Sequence, residues 1–141
     1  SLQIIGDGED FTVLEDIIKE RKLDSRIELV GKIDQNELRF YYSSCDLYIS
    51  ASTFEVCPVP TLEAMACGKP LVLSSIEPHK EMINISKAGK IFSKSNPEEI
   101  LTVVSEVFQD QKNLGILGRK FTEAHDWSLI SKQMAEIFES V

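Results

Sequence analysis

Two glutamates, Glu55 and Glu63, stand on either side of seven residues that include Pro58 and Pro60. Pro60 suits the opening position of a helix, and Val59 before it is steered away from helical backbone, so a helix is expected from Pro60 with Gly68 closing it. Thr61 and Leu62 then fall in the first turn with free N–H groups. The partial positive charge of a helix start accommodates an anionic diphosphate without a basic side chain, and the Thr61 hydroxyl adds a donor. Glu63 lies about one turn in, where its two carboxylate oxygens can take the paired hydroxyls of a ribose. Glu55, at the other end of the loop, sits where a sugar attached to the diphosphate extends, and accepts from its hydroxyls. Each residue alone has a plainer reading: Glu63 as an acid favoured by the helix dipole, Glu55 as a solvated loop charge, the prolines as a stiff loop. Their conjunction at one strand-to-helix junction is what points to a ligand.

That junction needs a sheet behind it. Short apolar runs bounded by turn residues occur at Leu2 to Ile5, Ile27 to Val30, Leu47 to Ile49 and Leu71 to Leu73. Their near-continuous apolar character suits parallel strands buried on both faces. Helical patterns lie between them: Phe11, Leu14, Ile17 and Ile18, then Leu38 with Tyr41 and Tyr42, opened by Asp34 with Glu37 three residues on. Asn96-Pro97-Glu98-Glu99 starts a further helix, and the last helical stretch carries Ile130, Met134, Ile137, Phe138 and Val141 on one face. Alternating strands and helices predict an α/β fold, a Rossmann-like doubly wound parallel sheet, in which ligands bind at the carboxyl ends of the strands.

Composition bounds the function. A chain of 141 residues, 43% hydrophobic and 27% charged, is the size of one compact soluble domain, so residues 1–141 are expected to form a single unit. A net charge of −8 argues against nucleic acid as a partner, and no apolar run is long enough for a transmembrane segment. The start lacks a signal-peptide pattern, which favours a cytoplasmic location. Cys45, Cys57 and Cys67 match neither a redox pair nor a zinc site; Cys45 and Cys67 read as small core residues, while Cys57 lies in the loop itself. Gly6-Asp7-Gly8 begins a dinucleotide fingerprint whose third glycine is Phe11, so an oxidoreductase rests on fold class alone. His79, among the charges of Glu77 to Glu81, reads as a solvated turn histidine, with contact to a ligand as the alternative, and His125 beside Trp127 reads as structural.

The run Ser52-Thr53-Phe54-Glu55, seven residues, then Glu63-Ala64-Met65-Ala66-Cys67-Gly68-Lys69-Pro70-Leu71-Val72 resembles the Glu-x7-Glu motif of the family-four glycosyltransferases of GT-B fold. The opening LQIIGDG, the IELVGKI segment, Cys45-Asp46-Leu47-Tyr48, the Gly89 turn and the stretch from Phe121 to Trp127 are similar to their carboxyl-terminal, donor-binding half. The resemblance implies one half of a two-domain enzyme, with a first strand, an Arg and Lys that meet the diphosphate, and an acceptor-binding domain upstream. It implies Glu55 as the catalytic contact to the transferred sugar, Glu63 on the ribose, and the backbone between them, Cys57 and Val59 included, near sugar and phosphates. Lys32 and Ile33 would face the base through main-chain groups, and Gly6 would keep its loop clear of the donor. Relatives carry glycines after the first glutamate where this chain has Val56-Cys57-Pro58, and Pro58 cannot donate.

The chemistry implied is transfer of a hexose from a nucleoside-diphosphate sugar to an acceptor hydroxyl, through an oxocarbenium-like transition state with charge gathering on the departing phosphate. No metal or other cofactor is expected; the chain has no Asp-x-Asp pair, Asp7-Gly8-Glu9 coming nearest. By family, configuration is retained, the acceptor is a glycan or a lipid-linked group met through the other domain, and the setting is polysaccharide or glycolipid synthesis at the inner face of a membrane. The isolated segment is expected to be inactive. A non-catalytic binding or assembly module of the same fold is the alternative.

Overall fold

A computed structural model describes residues 1–93 and 96–140. The chain divides into two compact units, Ser1–Leu38 and Arg39–Val141. In the first, β1 (Leu2–Ile5) and β2 (Ile27–Gly31) pair in parallel, Leu2 opposite Ile27 and Ile4 opposite Leu29, with α1 (Phe11–Glu20) as the crossover. The register slips between Ile4 and Ile5, so that Ile5 faces Gly31. Lys22, in left-handed backbone with φ 55°, turns the chain out of α1, and the Leu23 amide donates back to the Ile18 carbonyl. The expectation of strands buried on both faces does not hold here: Leu2 and Ile5 are exposed. Among the described residues β1 pairs on one edge only, and in this unit the pair carries the single helix α1.

α2 (Gln35–Ser44) starts directly after Asp34, whose carbonyl accepts from Glu37 and Leu38, and runs across the boundary into the second unit. There β3 (Tyr48–Ser50), β4 (Leu71–Ser74) and β5 (Gly89–Phe92) form a parallel sheet in that order. α3 (Val59–Ala66) and α4 (Glu77–Ser86) make the crossovers, followed by α5 (Pro97–Gln109), α6 (Gln111–Ala124) and α7 (Trp127–Glu139). β4 is central and all four of its residues are fully buried, as the continuous apolar run predicts. Val72 and Phe92 pack with Val103 and Val107 of α5 and Leu114 of α6, while Leu71 and Leu73 point to the opposite face by the period of the strand. The Asn96 side chain accepts from the Glu98 and Glu99 amides with Pro97 inside the first turn, the helix start read from the sequence.

α3 ends as Gly68 predicts. Gly68 takes φ 71°, its amide donates to the Met65 carbonyl, and the Lys69 amide reaches the Ala64 carbonyl at 3.0 Å, the two bonds of a Schellman motif. α7 buries none of its described residues, and Met134, Ile137 and Phe138 are exposed. Val141, assigned to the same face, lies outside the described residues.

Gly68 also seats α3 against α6, because a Cβ on Gly115 would overlap the Gly68 carbonyl oxygen. Gly115→Ala is therefore expected to destabilise the second unit by about 1–3 kcal/mol, despite the roughly 1 kcal/mol that alanine gains over glycine at an open helical position. Thermal unfolding followed by circular dichroism checks the sign, and a rise in melting temperature would contradict the packing described.

Candidate functional site

The loop from β3 to α3 is organised by hydroxyls. Ser50 Oγ donates to Ser52 Oγ at 3.2 Å, and Ser52 Oγ donates to Glu55 Oε1 at 2.9 Å. From the end of β4, Ser74 Oγ donates to the Ser52 carbonyl at 2.6 Å. His79 Nδ1 lies 3.1 Å from both Ser74 Oγ and the Ser74 carbonyl. The carbonyl can only accept and the Ser74 proton is already donated, so Nδ1 carries the hydrogen. His79 is thus a fully buried residue of α4 that fastens the carboxyl end of β4, and the expectation of a solvated turn histidine is corrected. The helix places its ring inward although its sequence neighbours are charged.

Glu63 is held from α2. Tyr42, 8% exposed, donates from its hydroxyl to Glu63 Oε2 at 3.1 Å, and its ring meets Tyr48 edge-on with centroids 6.0 Å apart. Lys69 ties the end of α2 to the end of α3, Nζ donating to the Ser43 and Cys45 carbonyls at 2.8 Å each. No acid falls in the first turn of α3, and Glu63 is half-buried, so it is not merely a dipole-favoured surface acid. Glu55 is also half-buried, bound to Ser52 rather than solvated on all sides.

Tyr48 opens β3. Burial pushes its hydroxyl above the ordinary value of 10.0; hydrogen bonds with Thr61 and Ser50 oppose that rise, and the charges of Glu55 and Glu63 both add to it. Tyr42 is pushed much further up, first by burial, then by its bond to Glu63 and the charge behind that bond. Burial also raises the Cys45 thiol, against the pull of Lys69. Glu55 is thus held by Ser52 in the loop that leaves the carboxyl end of β3, and Glu63 by Tyr42 from α2.

The start of α3 differs from its sequence reading. The helix begins at Val59, with Pro58 as its cap at φ −77° and ψ 74°, so Pro60 falls second rather than first. The Thr61 and Leu62 amides are not free: both donate to the Pro58 carbonyl, at 3.0 and 3.3 Å, and the Val59 amide donates to the Cys57 carbonyl at 2.8 Å. The Thr61 side chain is buried and bonded to Tyr48 rather than presented at the surface. Pro58 tucks its carbonyl under the first turn and consumes the donors that a diphosphate would use, leaving the dipole of the helix as the local positive field. Cys57 and Val59 are exposed and Leu62 is half-buried, so the loop is open to a ligand at its tip.

In the first unit, Gly6 and Lys32 with Ile33 follow the carboxyl ends of β1 and β2. The Gly6 amide donates to the Gly31 carbonyl at 2.9 Å, and both glycines take positive φ, 130° and 76°, which side-chain-bearing residues adopt at a cost. Lys32 is exposed and Ile33 half-buried. The six predicted residues of the second unit thus lie on the loop from β3 to α3 and on α3 itself, and the three of the first unit follow the ends of their own strand pair. Tyr42, Tyr48, Ser50, Ser52 and Ser74 escaped the sequence reading, though Tyr42 and Tyr48 lie in a segment whose aromatic content was visible.

Parallel strands with helical crossovers define a Rossmann-like α/β fold, the class to which the halves of GT-B glycosyltransferases belong. The profile of the family described as Glycosyl transferases group 1 matches residues 1–124, and the chain belongs to that family. An alpha-monoglucosyldiacylglycerol synthase of Acholeplasma laidlawii is 29% identical over 116 residues, 82% of this chain and 29% of that protein. Sucrose-phosphate synthase from Thermosynechococcus elongatus superposes with a TM-score of 0.84 at 23% identity, over 98% of this chain and 37% of that one. The Anabaena protein HepE, solved in complex with UDP-glucose, gives 0.83 at 22% identity, over 99% and 40%. The chain spans less than half the length of these relatives. No helix of the described residues is long and apolar enough to cross a membrane.

Tyr42 and Tyr48 carry a pH consequence. Their folded values lie above 10.0, so the neutral phenols favour the folded state; that contribution is complete below pH 10 and is lost as pH climbs through the raised values. Stability should fall on the alkaline side from about pH 10 upward, with Tyr42→Phe less stable by about 1 kcal/mol at neutral pH and showing a shallower alkaline decline. Urea unfolding at a series of pH values, with tyrosinate absorbance as the titration probe, measures both.

Proposed function

We propose that this chain is the donor-binding half of a glycosyltransferase that moves a hexose from a nucleoside-diphosphate sugar to an acceptor hydroxyl, with retention of configuration and without a metal. The observation that carries this reading is a pair of half-buried carboxylates, Glu55 held by Ser52 and Glu63 held by Tyr42, on the loop and helix that follow the carboxyl end of β3, where α/β folds bind ligands. Both carboxylates are acceptors that already hold one protein hydroxyl each, which leaves lone pairs for a polyhydroxylated ligand. HepE, of like fold, was solved with UDP-glucose bound, which supports a nucleotide sugar as that ligand. Glu63 takes the ribose hydroxyls and Glu55, the catalytic contact, those of the transferred sugar. Val59, Thr61 and Leu62 bring the positive end of α3 toward the diphosphate. As the glycosidic bond breaks, its electrons go to the departing phosphate and the sugar gains oxocarbenium character, which a fixed carboxylate near the ring stabilises.

The acceptor is a glycan or lipid-linked hydroxyl held by a partner domain, so the segment alone is inactive. A relative named for a glucosyldiacylglycerol product favours a lipid acceptor and work at the cytoplasmic face of a membrane. The engaged amides of Val59, Thr61 and Leu62, together with Pro58 in a loop without glycines, favour a second reading: a module that binds nucleotide sugar without transferring it.

The full-length protein separates these. Nucleoside diphosphates should bind in the presence of chelator, and Glu63→Ala should weaken them about tenfold or more, the loss of a charge-assisted pair of hydrogen bonds. Glu55→Ala should leave nucleoside diphosphate affinity within about twofold while reducing sugar transfer at least about a hundredfold. Ligand-observed NMR at roughly millimolar nucleotide with no binding overturns the donor site. Binding without transfer of any nucleotide sugar decides for the non-catalytic module.

A further inference from the structure

We propose that Tyr42 is a positioning residue: its hydroxyl fixes the plane of the Glu63 carboxylate so that the site selects a nucleoside diphosphate with an intact ribose diol over its deoxy counterparts. This rests on reading Glu63 as the ribose-binding group.

A glutamate at mid-helix turns about three side-chain bonds, and gripping two neighbouring hydroxyls at once requires that freedom to be removed beforehand. The Tyr42 hydroxyl removes it, donating to Oε2 at 3.1 Å from a helix other than the one that carries Glu63. The tyrosine is itself immobilised. Its ring is 8% exposed and set edge-on against Tyr48, and its backbone lies in the last turns of α2, whose carbonyl end Lys69 holds through Ser43 and Cys45. Lys69 follows the Schellman turn of α3, so the donor and acceptor helices are tied together next to the bond they share.

The chemistry of the donor matters as much as its place. An arginine or lysine would orient the carboxylate but neutralise it. A phenol supplies one hydrogen, occupies one of about four acceptor positions and leaves the full charge for ligand hydroxyls. Burial and the adjacent carboxylate keep that phenol protonated well past its ordinary range, so the bond runs in one direction only. Tyr42 touches no part of the ligand in this arrangement; it acts through Glu63.

The test uses the full-length protein, unaltered and as Tyr42→Phe, Glu63→Ala and the double variant, titrated with the tightest-binding of UDP, ADP and GDP and with its 2′,3′-dideoxy analogue. Tyr42→Phe should weaken the ribonucleotide about three- to tenfold and leave the dideoxy analogue within about twofold. It should add nothing further in the Glu63→Ala background. Because the preference is a ratio taken within one sample, a partly unfolded fraction cancels. An unchanged ratio in Tyr42→Phe, or equal loss of both nucleotides, overturns the role of Tyr42 while a lowered ribonucleotide affinity in Glu63→Ala leaves the donor site standing. No nucleotide binding by the unaltered protein, or none of it dependent on Glu63, overturns both.

Discussion

The contact of Gly68 with Gly115 sets how deeply α3 sits, and the front of the site follows from it. Neither residue has a side chain to hold the two backbones apart, and the Gly68 carbonyl lies where a Cβ of Gly115 would be. Gly118, one turn on in α6, likewise brings that helix close to Met65 and Ala88, where a Cβ would stand 3.4 and 3.2 Å away. With its rear turn fixed in this way and closed by a Schellman motif, α3 has one depth and one rotation about its axis. Glu63 then points toward α2 and Thr61 toward β3, and Lys69 emerges where it can hold the end of α2. Small residues far from any ligand thus determine where a carboxylate stands.

The electrostatics of the site are those of charge held by neutral donors. Ion pairs of the described residues join Lys19 to Glu15, Lys80 to Glu77, Lys90 to Glu106 and Arg119 to Glu123, all at the surface and of small energetic weight. Glu55 and Glu63 take hydroxyls instead, from Ser52 and Tyr42. A hydroxyl orients a carboxylate while leaving its charge undiminished, and a half-buried charge makes stronger hydrogen bonds to an incoming donor than one in bulk water. Burial first, and then the two negative charges, suppress the ionisation of Tyr48.

Much of this was legible in the sequence wherever the signal was local. The apolar run Leu71 to Leu73, the Asn96 cap and the glycine that ends α3 all act within a few residues of themselves, and the structure places them as read. What was not legible depends on residues distant in sequence. Tyr42 meets Glu63 across 21 positions and Ser74 meets Ser52 across 22, so no window of the chain shows either pair. His79 looked solvated because its neighbours are charged, yet one turn of helix is enough to bury a single position among them. The amides of Thr61 and Leu62 looked free because the rule for helix starts does not say where a capping proline sends its own carbonyl.

That last departure changes what the second unit can recognise. With those amides engaged, the side chains of the loop and the start of α3 are rich in acceptors and poor in donors: two carboxylates, with the nearby hydroxyls already donating to protein oxygens. A phosphate brings only acceptors and gains nothing from such a lining, whereas a sugar or ribose brings a row of donors. On the proposed reading, the glutamates and their hydroxyl partners therefore discriminate by the pattern of ligand hydroxyls, and the dipole of α3 contributes an attraction to phosphate that does not depend on which nucleotide or sugar carries it. Selectivity and anion binding are then separate tasks, and the first is set by how rigidly Ser52 and Tyr42 hold the two carboxylates.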